Sequence, residues 1–424
     1  MSNRLGLALF ACVSLTAPCV AGDWTQFRGP GGLGISQETS VPTTWSGTRN
    51  IAWKAKLPGA GTSSPIIVGD KIFLTCYSGY GLDQRAPGQM TDLKRHVVCL
   101  QRGTGEFVWS EVFDPMLDES EYAGGNDSRH GYASSTIASD GKRLYVFFGK
   151  SGVYCLSFTG DQLWHSTVGS RIRGWGSGSS PLLYNGLVII NASVESGSLV
   201  ALDAQTGEEA WRAGGIRSSW NTPALVEAPG GGAELVISAQ RWLMGFEPST
   251  GNELWRCNGV PTYSCPSVIS HDGVVYVTGG RGTQYTFAVR AGGRGDVTAT
   301  HELWRVAKGS NVSSPIYHNG HLYLASDSRG IAYCFDVADG TIVYQERMRP
   351  TPGRIYASPL LVGGNVYYPS QYSGTFVVAA KPQFELVAHN VMGDDDPRTN
   401  ACPVAHDGQL LIRNDGFLYC IGKN

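Results

Sequence analysis

Short apolar runs broken by Gly-containing turns fill the chain from Ile51 to its end. In one stretch, Pro315-Ile316-Tyr317 leads through His318-Asn319-Gly320 to His321-Leu322-Tyr323-Leu324. A loop, Ala332-Tyr333-Cys334-Phe335, a second turn and Ile342-Val343-Tyr344 follow. Alternating apolar runs joined by Asn-Gly or Asp-Gly turns predict antiparallel hairpins, and four runs in succession predict one four-stranded sheet. The third run and its turn return with a Trp at their end. Val97-Val98-Cys99-Leu100 passes through Thr104-Gly105-Glu106 to Trp109, and Val153-Tyr154-Cys155-Leu156 through Thr159-Gly160-Asp161 to Trp164. Leu199 to Trp211 and Leu243 to Trp255 repeat the pattern, and Ala332 to Tyr344 repeats it with Tyr in place of Trp.

A second marker precedes each unit: Ser63-Ser64-Pro65, Ser134-Ser135-Thr136, Ser179-Ser180-Pro181, Asn221-Thr222-Pro223, Ser264-Cys265-Pro266, Ser313-Ser314-Pro315, Ala357-Ser358-Pro359 and Ala401-Cys402-Pro403. Successive third positions are 71, 45, 42, 43, 49, 44 and 44 residues apart. A period near 40 residues is the signature of units stacked around a ring, so the chain is expected to be an all-β, eight-bladed β-propeller of four-stranded antiparallel blades. The last unit ends after Phe417-Leu418-Tyr419-Cys420 and lacks a fourth run. Ile51-Ala52-Trp53 has the missing pattern, so the N-terminal strand is expected to close the ring and remove its open edges. The Trp of each outer strand is expected to wedge between blades.

The repeat resembles the pyrroloquinoline-quinone-type propeller repeat over nearly the whole chain after the leader. Two families share it: the quinoprotein alcohol dehydrogenases, and the smaller outer-membrane protein assembly propellers, which carry no cofactor. The opening Asp23-Trp24-Thr25-Gln26-Phe27-Arg28-Gly29-Pro30 and the closing Phe417-Leu418-Tyr419-Cys420-Ile421-Gly422-Lys423 are similar to exported, quinone-binding-like propellers of planctomycete-type bacteria. The dehydrogenases use an adjacent Cys-Cys pair, a stacking Trp and a calcium site of Glu, Asn and Asp. This sequence has no adjacent cysteines, and no calcium set maps onto it residue by residue.

Composition narrows the class. A formal net charge of -2 over 424 residues argues against a nucleic-acid binder, and 42% hydrophobic content supplies a core. Arg4, the apolar run Leu5 to Leu15 and a small residue at Ala21 read as a secretory signal peptide over 1–21, leaving 22–424 as one propeller in the periplasm or cell envelope. Lipidation at Cys12 or Cys19 is the alternative, and no segment is long enough to span a membrane. Eight cysteines follow the leader; Cys99, Cys155, Cys334 and Cys420 share one repeat position, where buried free thiols are expected.

Sorting residues by loop type concentrates basic side chains on one face, the top. Loops entering each blade carry Arg129, Arg173, Arg217, Arg354 and Arg398, and the loops between middle strands add Arg241, Arg281, Arg329 and Arg413. His130, Trp175, Trp220, Tyr263 and Tyr356 stand in the same entering loops. Arginines converging on a funnel favour carboxylate or phosphate groups, and the aromatic rings could stack on a flat ligand. Pairing with Glu195, Asp327, Asp415 or Asp394-Asp395-Asp396 is the competing expectation. The long first step places insertions at 77–96 and 113–129, both on the top of blades one and two. The reading is therefore an exported, monomeric, non-catalytic binding propeller whose basic top face takes an anionic ligand or protein partner, with no metal and no cofactor. The alternative is a pyrroloquinoline-quinone-dependent oxidoreductase with calcium.

Overall fold

The computed structural model describes residues 22–83, 85–115, 119, 130–171, 175–393 and 397–423. The signal-peptide reading of 1–21, Arg129, Arg173 and Asp394-Asp395-Asp396 lie outside the described residues, as does most of 113–129. Eight antiparallel sheets follow one another along the chain. Blade one comprises Ile66–Val68, Lys71–Ser78, Lys94–Gln101 and Phe107–Phe113. The inner strands of the following blades begin at Ala138, Leu182, Ala224, Ile269, Ile316, Leu360 and Val404. Blade eight takes its outer strand, Ile51–Lys56, from the other end of the chain, and Lys54 and Ala55 stand opposite Tyr419 and Leu418. The ring closes as the split final repeat predicts.

Each outer strand carries a β-bulge at the same place, beside the residue that the repeat fills with Trp. Cys99 faces Trp109, Cys155 faces Trp164, Ala201 faces Trp211 and Cys420 faces Trp53 across the ladder. The indole then reaches into the next blade. Trp109, Trp164, Trp211 and Trp304 donate Nε1–H to the carbonyls of Phe158, Ala204, Pro248 and Val337 at 2.8–3.2 Å. The glycine of that neighbouring turn lies under the ring: a Cβ on Gly207 or Gly251 would sit 2.6 or 2.4 Å from Trp164 or Trp211. This explains the coupling of Trp to Thr-Gly in the sequence, since only a residue without Cβ admits the ring. The eight cysteines among the described residues are free, and Cys99, Cys155, Cys334 and Cys420 are buried.

Trp255 departs from the rule. Its Nε1 donates to Glu234 Oε2 at 2.6 Å within its own blade. The loop after blade five's third strand folds back, and Gly295–Asp296 pairs in parallel with Trp255 and Arg256. Blade four thus gains a fifth strand, which a uniform four-stranded repeat does not anticipate. The same excursion accounts for the long step of 49 residues.

The markers form a belt around the channel. The N–H groups of Ser64, Thr136, Ser180, Thr222, Ser267 and Ser314 each donate to the side-chain oxygen of the next residue in the series, ending at Ser358, at 2.9–3.0 Å. Cys402 N–H returns the series to Ser64 Oγ at 3.0 Å, and the Cys402 thiol accepts from Ser358 N–H. Every blade is thereby tied to the next by a buried hydrogen bond. The belt also corrects the register of two markers: Thr136 ends its triplet, and Ser267 lies just beyond Ser264-Cys265-Pro266.

Residues before the closing strand cross the channel below the belt. Trp24 pairs with Ile67 of blade one, and Thr25 O accepts from Ser139 N–H of blade two at 2.8 Å. Arg28 donates through Nη2 to Pro315 O of blade six at 2.7 Å, and Ile35 pairs with Leu361 of blade seven. Glu38 then accepts the Asp407 and Gly408 N–H groups of blade eight. This strap spans the channel from blades one and two to blades six, seven and eight. Among the described residues no helix is long and apolar enough to cross a membrane.

Candidate functional site

The entering loops and middle-strand loops meet above the belt around a cavity of about 470 Å³. Phe27 of the strap and the belt residues Thr222, Ser267, Ser314, Ser358 and Cys402 line it, with loop side chains above them. Its volume lies within the range of small-ligand sites, ~300–1,000 Å³. Trp175, Trp220 and Tyr263 form one packed wall, with centroids 5.2 Å apart between the indoles and 4.4 Å from Trp175 to Tyr263. Trp220 spends its N–H on Gly176 O at 2.8 Å, so it offers the cavity an apolar face.

His130 holds this wall in place. Its Nδ1 meets Ser134 Oγ at 2.5 Å, and its ring bonds the Trp175 backbone. Burial pushes its imidazole down to about 4, so it is neutral and structural near pH 7. Asp327 accepts from Gln284 Nε2 at 2.9 Å and Asn311 N–H at 3.3 Å, and burial raises its carboxyl. It is the one carboxylate among the described lining residues.

The expected arginine set divides. Arg281 and Arg354 are exposed and line the funnel mouth, joined by Tyr356. Arg217, Arg241 and Arg329 are exposed on the same face but lie outside the funnel lining. Arg398 pairs through Nε with Asp415 Oδ2 at 3.0 Å, as the competing expectation had it. Arg413 is a correction: it is 1% exposed and gives nothing to an open face. Its Nη1 donates to Ser63 O at 2.6 Å and its Nη2 to Cys76 Sγ at 3.5 Å, locking blade eight to blade one. A buried guanidinium held by a carbonyl, a hydroxyl and a thiol is a structural strut.

The first insertion is shorter than its sequence boundaries suggest, because the flanking strands run on to Ser78 and back from Lys94. Tyr77, Tyr80 and Leu93 pack with Ala60 and Ala133 into a small satellite core beside the funnel. Arg95 and Glu119 form a buried ion pair at 2.9 Å there. Nearby Glu195 is 2% exposed and accepts from the Ser177 hydroxyl. Burial pushes its carboxyl up to about 7, and Glu119 adds to the shift.

Glu195 yields a stability prediction. Between its ordinary value and about 7 the folded state keeps a proton that the unfolded state has released. Its stabilisation is therefore full at low pH and is lost as pH rises through 7. Glu195→Gln should raise the melting temperature at pH 8, by an amount equivalent to roughly 2–3 kcal/mol, and change it little at pH 4. Equal melting curves for both proteins at pH 8 would contradict this account.

Sequence reasoning missed the strap, the belt and the amides Asn221 and Asn311 in the funnel wall. Asn221 was visible as part of a marker, but its place in the funnel lining was not.

Comparison with known proteins gives a consistent family signal. A family model described as outer membrane protein assembly factor BamB matches residues 93–346 and 239–402. Outer membrane protein assembly factor BamB of Burkholderia pseudomallei (strain K96243) is 25% identical over 396 residues, covering 87% of this chain and 86% of that protein. Quinohemoprotein alcohol dehydrogenase from Comamonas testosteroni superposes with a TM-score of 0.63 at 12% identity, over 95% of this chain and 81% of that chain. BamB from Moraxella catarrhalis gives 0.55 at 11% identity, over 87% and 97%. At these identities the solved structures speak to the fold alone.

Proposed function

Because the chain belongs to the outer membrane protein assembly factor BamB family, we propose that it is a non-catalytic binding scaffold of the cell envelope. It holds, as a monomer, a protein partner in outer membrane protein assembly against its basic top face. One observation carries the choice of face: five arginines, Arg217, Arg241, Arg281, Arg329 and Arg354, are exposed on loops around a single funnel. A rim of one sign on a rigid ring steers an anionic surface and fixes its orientation.

A calcium-bound quinone does not fit the residues present. Calcium takes 6–8 oxygen ligands, mostly carboxylates and carbonyls. Asp327 is the one carboxylate among the described lining residues, and its Oδ1 already accepts two hydrogen bonds. The two cysteines in the lining, Cys265 and Cys402, are far apart in sequence and belong to different blades.

The test is charge reversal outside the funnel. Purified Arg217→Glu, Arg241→Glu, Arg329→Glu triple variant should keep the parent circular dichroism and melting curve. It should also lose capture of the outer membrane assembly proteins of its own host from detergent extract. Undiminished capture by the triple variant would count against the basic rim as the docking face. Dye-linked alcohol oxidation after addition of the quinone and calcium would overturn the non-catalytic reading.

A further inference from the structure

Arg281 and Arg354 stand on either side of Asp327 around the funnel. Arg281 lies in the middle loop of blade five, Asp327 in the middle loop of blade six and Arg354 in the loop entering blade seven, and all three line the cavity. Neither guanidinium enters a hydrogen bond or ion pair among the described residues. Asp327 is held in place without being neutralised. Its Oδ1 accepts from Gln284 Nε2 at 2.9 Å and Asn311 N–H at 3.3 Å, and its backbone carbonyl accepts from Ile355 N–H at 3.0 Å. Oδ2 bonds no described residue, and it is open to the funnel rather than sealed in the wall. Burial raises this carboxyl, with Arg329 and Arg354 only partly opposing the shift, and a cation at Oδ2 would hold it ionised.

The acid and the aromatic wall are one construction. The Asn311 side-chain amide meets the Tyr263 hydroxyl at 3.1 Å while its backbone N–H goes to Asp327, so Tyr263, Asn311, Asp327 and Arg354 follow one another along a single arc. Trp175, Trp220 and Tyr263 are each partly exposed and offer apolar ring surface beside that arc. Three demands result. The arginines call for a carboxylate, given the planar fork of the guanidinium. Asp327 Oδ2 calls for a cationic N–H donor. The wall calls for a flat apolar group. An aromatic diacid brings a second negative charge against Asp327, an aromatic amine leaves both arginines unused, and an aliphatic amino acid leaves the wall bare. Because Asp327 lies between the arginines, the ammonium and the carboxylate must sit close together on the ligand, as they do on one α-carbon.

We propose that the funnel binds a free aromatic amino acid, with its carboxylate facing Arg281 and Arg354, its ammonium on Asp327 Oδ2 and its ring against Trp175, Trp220 and Tyr263. A peptide does not replace it: a C-terminal residue has lost the ammonium and an N-terminal residue the carboxylate. The cavity of about 470 Å³ holds such a molecule with room for bridging waters. This inference concerns the funnel interior and does not rest on the scaffold reading of the rim.

The experiment is calorimetric titration of the purified full chain with L-phenylalanine, with N-acetyl-L-phenylalanine, phenethylamine and L-alanine as comparison ligands. Protein tryptophan fluorescence, to which phenylalanine adds nothing, is the second readout. Phenylalanine should bind and change the fluorescence, roughly tenfold or more tighter than each comparison ligand, since each of those lacks one of the three contacts. No binding of phenylalanine overturns the proposal. Equal binding of the acetylated, decarboxylated or alanine ligand overturns the ammonium, carboxylate or ring assignment respectively. Asp327→Asn keeps the Oδ1 acceptor and removes the charge, so it should weaken phenylalanine by roughly tenfold and leave N-acetyl-L-phenylalanine unchanged. Arg281→Gln with Arg354→Gln should weaken phenylalanine as much and leave phenethylamine unchanged. Loss of both phenylalanine and its acetylated form in Asp327→Asn would overturn the ammonium site and leave the acid a support for the wall. The ligand series needs no variant, so it carries the test should Asp327→Asn fail to fold. The Arg217→Glu, Arg241→Glu, Arg329→Glu protein should still bind phenylalanine, which separates failure of this inference from failure of the scaffold reading.

Discussion

A chain beginning at Leu57 should accumulate as aggregate, with no soluble monomer on size exclusion. Removing 22–56 deletes the outer strand of blade eight and exposes the edge of Phe417–Ile421. Trp24, Trp45 and Trp53 all belong to the core cluster that joins blades seven, eight and one, and each is less than a tenth exposed. A buried aromatic of this size contributes roughly 3 kcal/mol or more on truncation, and three together rival the ~5–15 kcal/mol that separates a folded domain from its unfolded ensemble. The loss also leaves an unpaired strand edge, which recruits other chains. Co-expression of a 22–56 peptide should restore part of the soluble yield. A soluble monomer with the parent melting temperature would show that the ring does not need its closing strand.

Gly251→Val should lower stability by at least about 3 kcal/mol and cut soluble expression. Two costs combine. Gly251 has φ +71, a conformation that a β-branched residue adopts only with strain. Its Cβ would also meet the Trp211 ring at 2.4 Å, inside contact distance, and the indole is held by its bond to Pro248 O. Gly214→Ala is the control: nothing lies within 4 Å of its Cβ and its φ is ordinary, so chemical denaturation should place it within about 0.5 kcal/mol of the parent. Equal midpoints for the two variants would show that the turn glycine does not carry the wedge.

The blades were legible because one physical unit repeats. Trp, bulge and turn glycine depend on each other, so their spacing survives in the sequence wherever the wedge survives. The register of two markers was not legible for a local reason. Ser134-Ser135-Thr136 and Ser264-Cys265-Pro266-Ser267 offer several small polar residues in a row, and only the belt bond selects Thr136 and Ser267. The strap left no periodic trace, since Trp24, Thr25, Arg28 and Ile35 each meet a different blade across the ring. The arginines show the same limit. Loop position told which face Arg413 and Arg354 share, but the inward turn of Arg413 depends on the Ser63 carbonyl and the Cys76 thiol, which are more than three hundred residues away.

The closing strand has a consequence for the order of assembly. Ile51–Lys56 is made long before its partner Phe417–Ile421. The strap before it needs blades one, two, six, seven and eight in place at once. Blades one to seven can form from local hairpins as the chain emerges, whereas the N-terminal segment must wait for contacts of very high sequence separation. Through that interval a Trp-rich strand edge stays open, so the slowest step in building this ring and its greatest exposure to aggregation fall at the same seam.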